Sequence, residues 1–216
     1  FDFSYPGDDG KGKDDWESEK LIRMVRELQP DIMVNNRLDL EGSGDFVTPE
    51  QFQPKQAPKD ENGKPAVWEA CQTFSGSWGY HRDEMTWKSV DQVLRMLIDG
   101  VSKGGNMLMN VGPTGRGEID YRAQACLEGI GQWMQYNSRS IYGCGAAPEE
   151  FEAPGDCRYT YNPETNRLYL HLFAWPFRTV HLPNMKGKVK YAQFLHDASE
   201  VRFRKQAKHP HAGLNE

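Results

Sequence analysis

Six side chains in this sequence are of types that could do chemistry together: the carboxylates Asp2, Glu50 and Glu69, the guanidinium of Arg37, and the rings of Trp78 and Tyr80. Two carboxylates with a cation and aromatics nearby suit cleavage of a glycosidic bond. One acid attacks the anomeric carbon; the other protonates the leaving oxygen and later activates water. The attacking acid must be ionised, so it needs a cation or hydrogen-bond donors beside it. The proton donor must hold its proton when substrate arrives, so it needs a drier setting. Each residue alone has a plainer reading. Asp2 would be a solvated acid near a chain end, Arg37 a structural ion-pair partner and Glu50 a solvated loop acid. Glu69 would be a hydrogen-bond acceptor on a strand, and Trp78 and Tyr80 loop packing. Glu69 also stands as the alternative to Glu50 for the proton donor. What favours a site is that Asp2, Arg37, Glu50, Glu69 and Trp78 all fall after the ends of predicted strands.

The elements that must position them follow from hydrophobic period. Phe1-Asp2-Phe3-Ser4-Tyr5-Pro6-Gly7 reads as the last residues of a strand, stopped by Ser4, Pro6 and Gly7. A polar loop over 8–16 follows, with Asp14 or Asp15 as the cap of a helix running from about Glu17 to Gln29. Leu21, Met24, Val25 and Leu28 share its apolar face, read as core packing, and Pro30 ends it. Ile32-Met33-Val34 is a short apolar run suited to a buried strand, closing on Asn35-Asn36-Arg37. Strand, helix, strand is the signature of a parallel sheet.

Residues 38–66 read as a long irregular stretch, of the kind that inside a compact domain is functional or disordered. Val67–Thr73 is the next strand, followed by a glycine and aromatic cluster through His81. Ser89 with Gln92 forms a capping box for a helix with Val90, Val93, Leu94, Leu97 and Val101 inward, stopped by Gly104-Gly105. Asn106–Val111 is another buried strand, with Asn110 near the floor of the site. The Gly112–Gly117 turn lacks the Gly-Lys-Ser/Thr ending of a phosphate loop. A last helix spans about Tyr121 to Tyr136 with Ala125, Leu127, Ile130 and Met134 inward.

Past Gly143 the period changes. Pro148 and Pro154 mark a linker. Strands are expected over 159–161, 167–173, 179–182 and 189–195, with a hairpin turn at 162–166 and a polar tail from Lys205. This antiparallel style is a start on a sandwich. The expected fold is therefore α/β: the later βα units of a (β/α) barrel over 1–147, then a small antiparallel β-sandwich over 148–216. About four parallel strands are visible where a closed barrel has eight, so the first half of the barrel is expected outside these residues.

Composition narrows the classes. The net charge of −5 leaves no basic stripe for nucleic acid. No apolar run is long enough to span a membrane. Aromatics at 12%, with six Trp, fit sugar handling, because apolar sugar faces stack on rings. Cys71, Cys126, Cys144 and Cys157 form no CxxC pair and no Cys/His ligand spacing, and the six histidines lack metal spacing, so no metal site is expected.

Several strings carry a family resemblance. Phe1 to Gly7, Asn35-Asn36-Arg37, Asp45-Phe46-Val47-Thr48-Pro49-Glu50, Val67-Trp68-Glu69 and Ser77-Trp78-Gly79-Tyr80 are similar to the α-L-fucosidases of glycoside hydrolase family 29. The most specific string is Val101-Ser102-Lys103-Gly104-Gly105-Asn106-Met107-Leu108-Met109-Asn110-Val111-Gly112-Pro113. The resemblance runs in order from residue 1 to about 147. It implies a retaining exo-fucosidase on a (β/α) barrel with a C-terminal β-sandwich. In the family the nucleophile is the Asp ending a strand that reads Trp-x-Asp. Asp2 matches it, and the tryptophan falls before residue 1. Glu50 falls in the loop slot of the acid/base, Arg37 matches an arginine that contacts fucose, and Trp78 an aromatic set against the sugar's apolar face and methyl group. Glu69 and Tyr80 join the substrate-binding set. The resemblance implies a fucosylated glycan as substrate, no cofactor, association with the upstream half of the same protein, and a periplasmic, secreted or lysosomal-type location. Two other classes stay open at this point: a non-catalytic carbohydrate-binding protein, and a glycosidase of different sugar specificity.

Overall fold

The structure is a computed structural model describing residues 1–2, 4–5, 10–60 and 62–204. Phe3, Pro6 and Gly7 of the expected first strand end, and the polar tail from Lys205, lie outside the described residues. In chain order the elements are α1 (Ser18–Leu28), β1 (Glu69–Thr73), α2 (Val90–Ser102), β2 (Asn106–Asn110), α3 (Tyr121–Asn137), a 3₁₀ turn (Ser138–Ser140), β3 (Cys157–Asn162) and β4 (Arg167–Leu172). The architecture is α/β, with a parallel part followed by an antiparallel hairpin.

β1 and β2 pair in parallel, Glu69 opposite Asn106 through Thr73 opposite Asn110. α2 connects them. Its start is the expected capping box: Ser89 accepts from the Gln92 amide N–H while the Gln92 side chain accepts from the Ser89 amide N–H. Its end is Gly104 at φ 75°, a left-handed turn that any other residue adopts at a cost. The chain then runs through Gly105 directly against the indole of Trp68, where a Cβ would lie 2.1 Å from a ring carbon. Trp68 is fully buried and its Nε1 donates to the Lys103 carbonyl at 3.4 Å. This close approach seats α2 on the sheet just below Glu69.

The stretch before β1 is more ordered than its composition suggests. Asn35 bridges Phe46, Val47 bridges Trp68 and Glu50 bridges Cys71, all in parallel sense. The bonds are continuous in effect: Asn36 N–H to Phe46 O, Glu69 N–H to Val47 O, Cys71 N–H to Pro49 O and Gln51 N–H to Cys71 O, at 2.8–3.1 Å. Residues 46–50 therefore act as an extra parallel rung between 34–36 and β1. The expected strand at 32–34 is reduced to that edge. Val34 is buried, but Ile32 and Met33 are exposed, and the Val34 amide donates to the Asp45 carboxylate at 2.6 Å rather than to a neighbouring strand.

Helix faces differ from expectation in two places. α1 begins at Ser18, and its N-cap residue Glu17 makes no side-chain cap, while the Asp15 carboxylate accepts from the Gly12 amide instead. Leu28 at its end is 75% exposed, so its apolar face is only partly covered. In α3 the buried residues are Ala123 and Cys126, with Ile130 packed in the same cluster and Met134 against Ile98, Val101 and Ile141; Ala125 and Leu127 face outward. Two adjacent clusters form the core, one of Phe74, Val93, Ala123 and Cys126 and the other of Ile98, Val101 and Ile141. The first lies between the helices and the sheet face that carries Met107 and Met109; the second lies among α2, α3 and the segment after β4, with Leu97, Trp133, Met134 and Phe173 packed on it.

Of the four strands expected past Gly143, two form. β3 and β4 make an antiparallel hairpin, Cys157 opposite Leu172 and Asn162 opposite Arg167. Residues 179–182 form no strand, and 189–195 contribute one bridge, Gln193 to Glu200. Trp175 and Phe177, which precede them, are 76% and 93% exposed, and Trp175 stacks on Phe194 of the second segment instead of on the hairpin. The hairpin is fastened to the helices instead. Thr160 Oγ1 donates to the Ser140 carbonyl at 2.7 Å, Arg158 pairs with Asp99 of α2 at 2.7 Å, and Arg95 donates to the Phe173 carbonyl at 2.6 Å.

Candidate active site

Side chains of bridged residues in a sheet point to the same face. Glu50 is opposite Cys71, and Glu69, Cys71 and Thr73 alternate with Ala70 and Gln72, so Glu50 and Glu69 share a face with Cys71. The other face of the sheet packs Trp68, Ala70, Met107 and Met109 toward the helices. The candidate site is thus the face turned away from the core, at the ends of parallel segments.

Arg37 is its centre. Its side chain is 10% exposed. Nη2 lies 2.8 Å from Glu50 Oε2, Nη1 lies 3.9 Å from Asp2 Oδ1, and Nε donates to Thr48 Oγ1 at 2.8 Å. One guanidinium therefore stands between two carboxylates that are 48 positions apart in sequence. Its planar fork presents a separate nitrogen to each of the three partners, where an ammonium would have to reach them all from one atom. The backbone holds the arrangement: Ser4 Oγ donates to the Arg37 carbonyl at 2.8 Å, Asn35 Nδ2 to the Phe1 carbonyl at 2.9 Å, and Thr48 Oγ1 to Asn36 Oδ1 at 3.0 Å.

The two carboxylates sit in different surroundings. The Asp2 side chain is 86% exposed and that of Glu50 is 27% exposed. The expectation that Asp2 ends a buried strand is not met among the described residues; Phe1 is 45% exposed. An open groove of about 680 Å³ runs beside Glu50, lined by Asn36, Thr48, Gln51, Phe52 and Gln56 among others. Cys71 reports the same neighbourhood. Burial pushes its thiol up, Arg37 opposes that, and Glu50 and Glu69 add to it. Glu69 is half-buried on β1, on the face it shares with Cys71 and Glu50.

Trp78 and Tyr80 belong to a separate loop, after β1, and are 41% and 43% exposed. That loop is fixed to β2. Asn110 Nδ2 donates to the Trp78 carbonyl at 2.6 Å, and Gly112 packs so tightly on the loop that a Cβ there would lie 2.5 Å from the Gly79 carbonyl carbon. Its base is clasped by Glu84, which accepts from Ser77 Oγ at 2.6 Å and from the Thr86 amide at 2.7 Å; these bonds hold the Glu84 carboxyl below its ordinary range. The structure thus joins Asp2, Arg37 and Glu50 in one cluster, sets Glu69 on the same face, and puts Trp78 and Tyr80 on an adjoining rim. Sequence reading passed over Thr48, Asn36 and Gln51. The available signal was Thr48 two residues before Glu50, the spacing that puts both on one face of an extended segment. Among the described residues no group of three or more His, Cys, Asp or Glu side chains is arranged to hold a metal ion.

Comparison with known proteins identifies relatives of the chain. The family model described as α-L-fucosidase matches residues 1–139. A solved structure of α-L-fucosidase isoenzyme 1 from Paenibacillus thiaminolyticus is 41% identical, with a TM-score of 0.86 over 94% of this chain and 49% of that one. A family 29 α-L-fucosidase from Bacteroides thetaiotaomicron is 27% identical, with a TM-score of 0.76 over 91% of this chain and 47% of that one. Human plasma α-L-fucosidase is 32% identical over 116 residues, 52% of this chain and 25% of the relative. The chain spans about half the length of these solved structures and a quarter of that curated relative. With the family model covering residues 1–139 of 216, the chain belongs to the α-L-fucosidases of glycoside hydrolase family 29.

Proposed function

We propose that this chain carries the cleaving half of a retaining exo-fucosidase that removes terminal α-L-fucose from a fucosylated glycan by double displacement. The observation that supports it above the others is Arg37 set between Asp2 and Glu50. In the first step an Asp2 oxygen bonds to the anomeric carbon as the bond to the leaving oxygen breaks, and Glu50 gives that oxygen its proton. In the second, water bonds to the same carbon as Glu50 takes a proton from it, and the Asp2 ester bond breaks. Arg37 faces both carboxylates and orients them. Trp78 and Tyr80 offer faces for the apolar side of the sugar, and Glu69 a hydrogen-bond acceptor for its hydroxyls. Two carboxylates complete this cycle, so the chemistry calls for neither metal nor organic cofactor.

In this reading residues 1–147 are the later units of a (β/α) barrel and 148–216 part of a β-sandwich. The remaining walls of the sugar pocket come from the half of the fold that these residues do not cover, and the isolated chain is inactive. Relatives named plasma and tissue α-L-fucosidase support a secreted or lysosomal-type setting, or its periplasmic equivalent. No helix among the described residues is long and apolar enough to cross a membrane. The test is release of nitrophenol from nitrophenyl α-L-fucoside by the full-length gene product. Asp2→Ala should abolish it, and Glu50→Ala should be partly restored by azide. Full activity in Asp2→Ala sinks the nucleophile assignment. An unimpaired Glu50→Ala moves the acid/base role to Glu69, the other carboxylate on that face.

A further inference from the structure

The loop that carries Glu50 contains an unusual backbone. Gln51, the next residue, has φ 60°, in the left-handed region that residues with a Cβ enter at a cost. Such a conformation persists only where surrounding structure holds it. Here two contacts do so, and a third bond fixes the partner of the second. The Gln51 amide N–H donates to the Cys71 carbonyl at 3.0 Å. Its side-chain Nε2 donates to Thr73 Oγ1 at 3.1 Å. Thr73 is buried, and its hydroxyl donates onward to the Ser75 carbonyl, which leaves its lone pairs for Gln51. Just beyond, Gln72 Nε2 donates to the Phe52 carbonyl at 3.2 Å and Lys103 Nζ to the Pro54 carbonyl at 2.8 Å.

These bonds have a directional consequence. A chain continuing in extended form past Glu50 would place residue 51 on the opposite face from Glu50 and carry on along β1. The left-handed turn at Gln51 instead ends the rung at Glu50 and bends the chain away. Gln51 is also the one residue of the turn that is tied to β1 through both its backbone and its side chain. We infer that Gln51 is a positioning residue: its amide, anchored on Thr73, sets where the rung stops and so where the Glu50 carboxylate points. This rests on the acid/base role proposed for Glu50.

A misaimed proton donor has a signature that general loosening lacks. A leaving group that departs without protonation hardly needs the donor, whereas a poor leaving group depends on it. The experiment compares dinitrophenyl and unsubstituted phenyl α-L-fucosides with the full-length gene product. Gln51→Gly tolerates the backbone angle and removes only the amide, so folding is not at stake. Its kcat/KM on the phenyl fucoside should fall by about 10- to 100-fold, the scale of a roughly 1 Å misplacement. On the dinitrophenyl fucoside, the rate of fucosylation should stay within about threefold of the parent enzyme. Thr73→Val, which removes the anchor from the other side, should skew the ratio of the two substrates in the same sense. Equal losses on both substrates, or none on either, overturn the inference. The Glu50 role itself is read separately: if Glu50→Ala does not skew the same ratio, it is the underlying assignment that fails.

Discussion

Replacing Arg37 with lysine keeps the positive charge and removes the fork. In the structure the guanidinium serves Glu50 at 2.8 Å, Thr48 at 2.8 Å and Asp2 at 3.9 Å from three different nitrogens. A lysine ammonium is a single point on a flexible stem, so it can follow one carboxylate but not span both. The Thr48 bond and one carboxylate contact are lost together. Hydrogen bonds to charged groups are worth about 1.5–3 kcal/mol each, and water entering the groove offsets part of that, so a net loss of about 2–3 kcal/mol of transition-state stabilisation is expected. That corresponds to a drop of about 30- to 160-fold in kcat/KM. The assay is steady-state hydrolysis of nitrophenyl α-L-fucoside by the Arg37→Lys protein, with thermal melting alongside. The charge survives and the side chain is at the site rim of the core, so the melting midpoint should move little while the rate falls. A variant within threefold of the parent rate would refute the reasoning, because it would mean that bridging the two carboxylates is not what Arg37 does.

Two further expectations concern stability. Gly105→Ala puts a Cβ 2.1 Å from the ring of a fully buried Trp68 and should cost about 3 kcal/mol or more by overpacking, against about 1–2 kcal/mol for Gly104→Ala, where only the left-handed backbone is penalised; urea unfolding of the two variants ranks them, and equal costs would contradict the packing account. His171 is buried against Trp133 and Thr160, and burial holds its imidazole at about 4 rather than 6.5. The native state therefore refuses a proton that the unfolded chain accepts below about 6.5. Stability should be undiminished above that pH and fall by up to about 3 kcal/mol as pH drops toward 4. Urea midpoints at pH 7 and pH 4.5 should separate more in the parent than in His171→Gln.

Much of the scaffold was legible from local rules. The α2 start was readable because Ser89 and Gln92 satisfy helix-end amides by themselves, without help from tertiary neighbours. The α2–β2 turn was readable because paired glycines are the local solution to a left-handed stop. The hairpin β3–β4 was readable from alternation and a turn-rich Asn162–Asn166. The faces of α1 and α3 were less so. Periodicity says that a helix has an apolar side, but which residues are covered depends on what lies opposite, and Leu127 and Ala125 have nothing opposite them among the described residues.

The extra rung at 46–50 shows where local reading stops. Phe46-Val47-Thr48 is too short a run to announce a strand, and Pro49 has no N–H to continue a ladder. The rung exists because 34–36 and β1 supply partners on either side, and those partners are distant in sequence. The missing strands past Phe173 are the converse: adequate alternation at 179–182 and 189–195, but Trp175 stacks on Phe194 of the second segment instead of on the hairpin.

Residue types, their order and the family to which they point were determined by the sequence alone, since a carboxylate, a guanidinium and an indole bring their chemistry wherever they are placed. What only the tertiary structure decided is which of them meet. The Arg37 fork bridges Asp2 and Glu50 across 48 positions because a parallel sheet brings segment ends to one side, and the left-handed turn at Gln51 stops the Glu50 rung at the height of the guanidinium. Glu69, of equal chemical promise, stands on the same face outside that bridge, because its place is set by the register of β1 and not by its side chain.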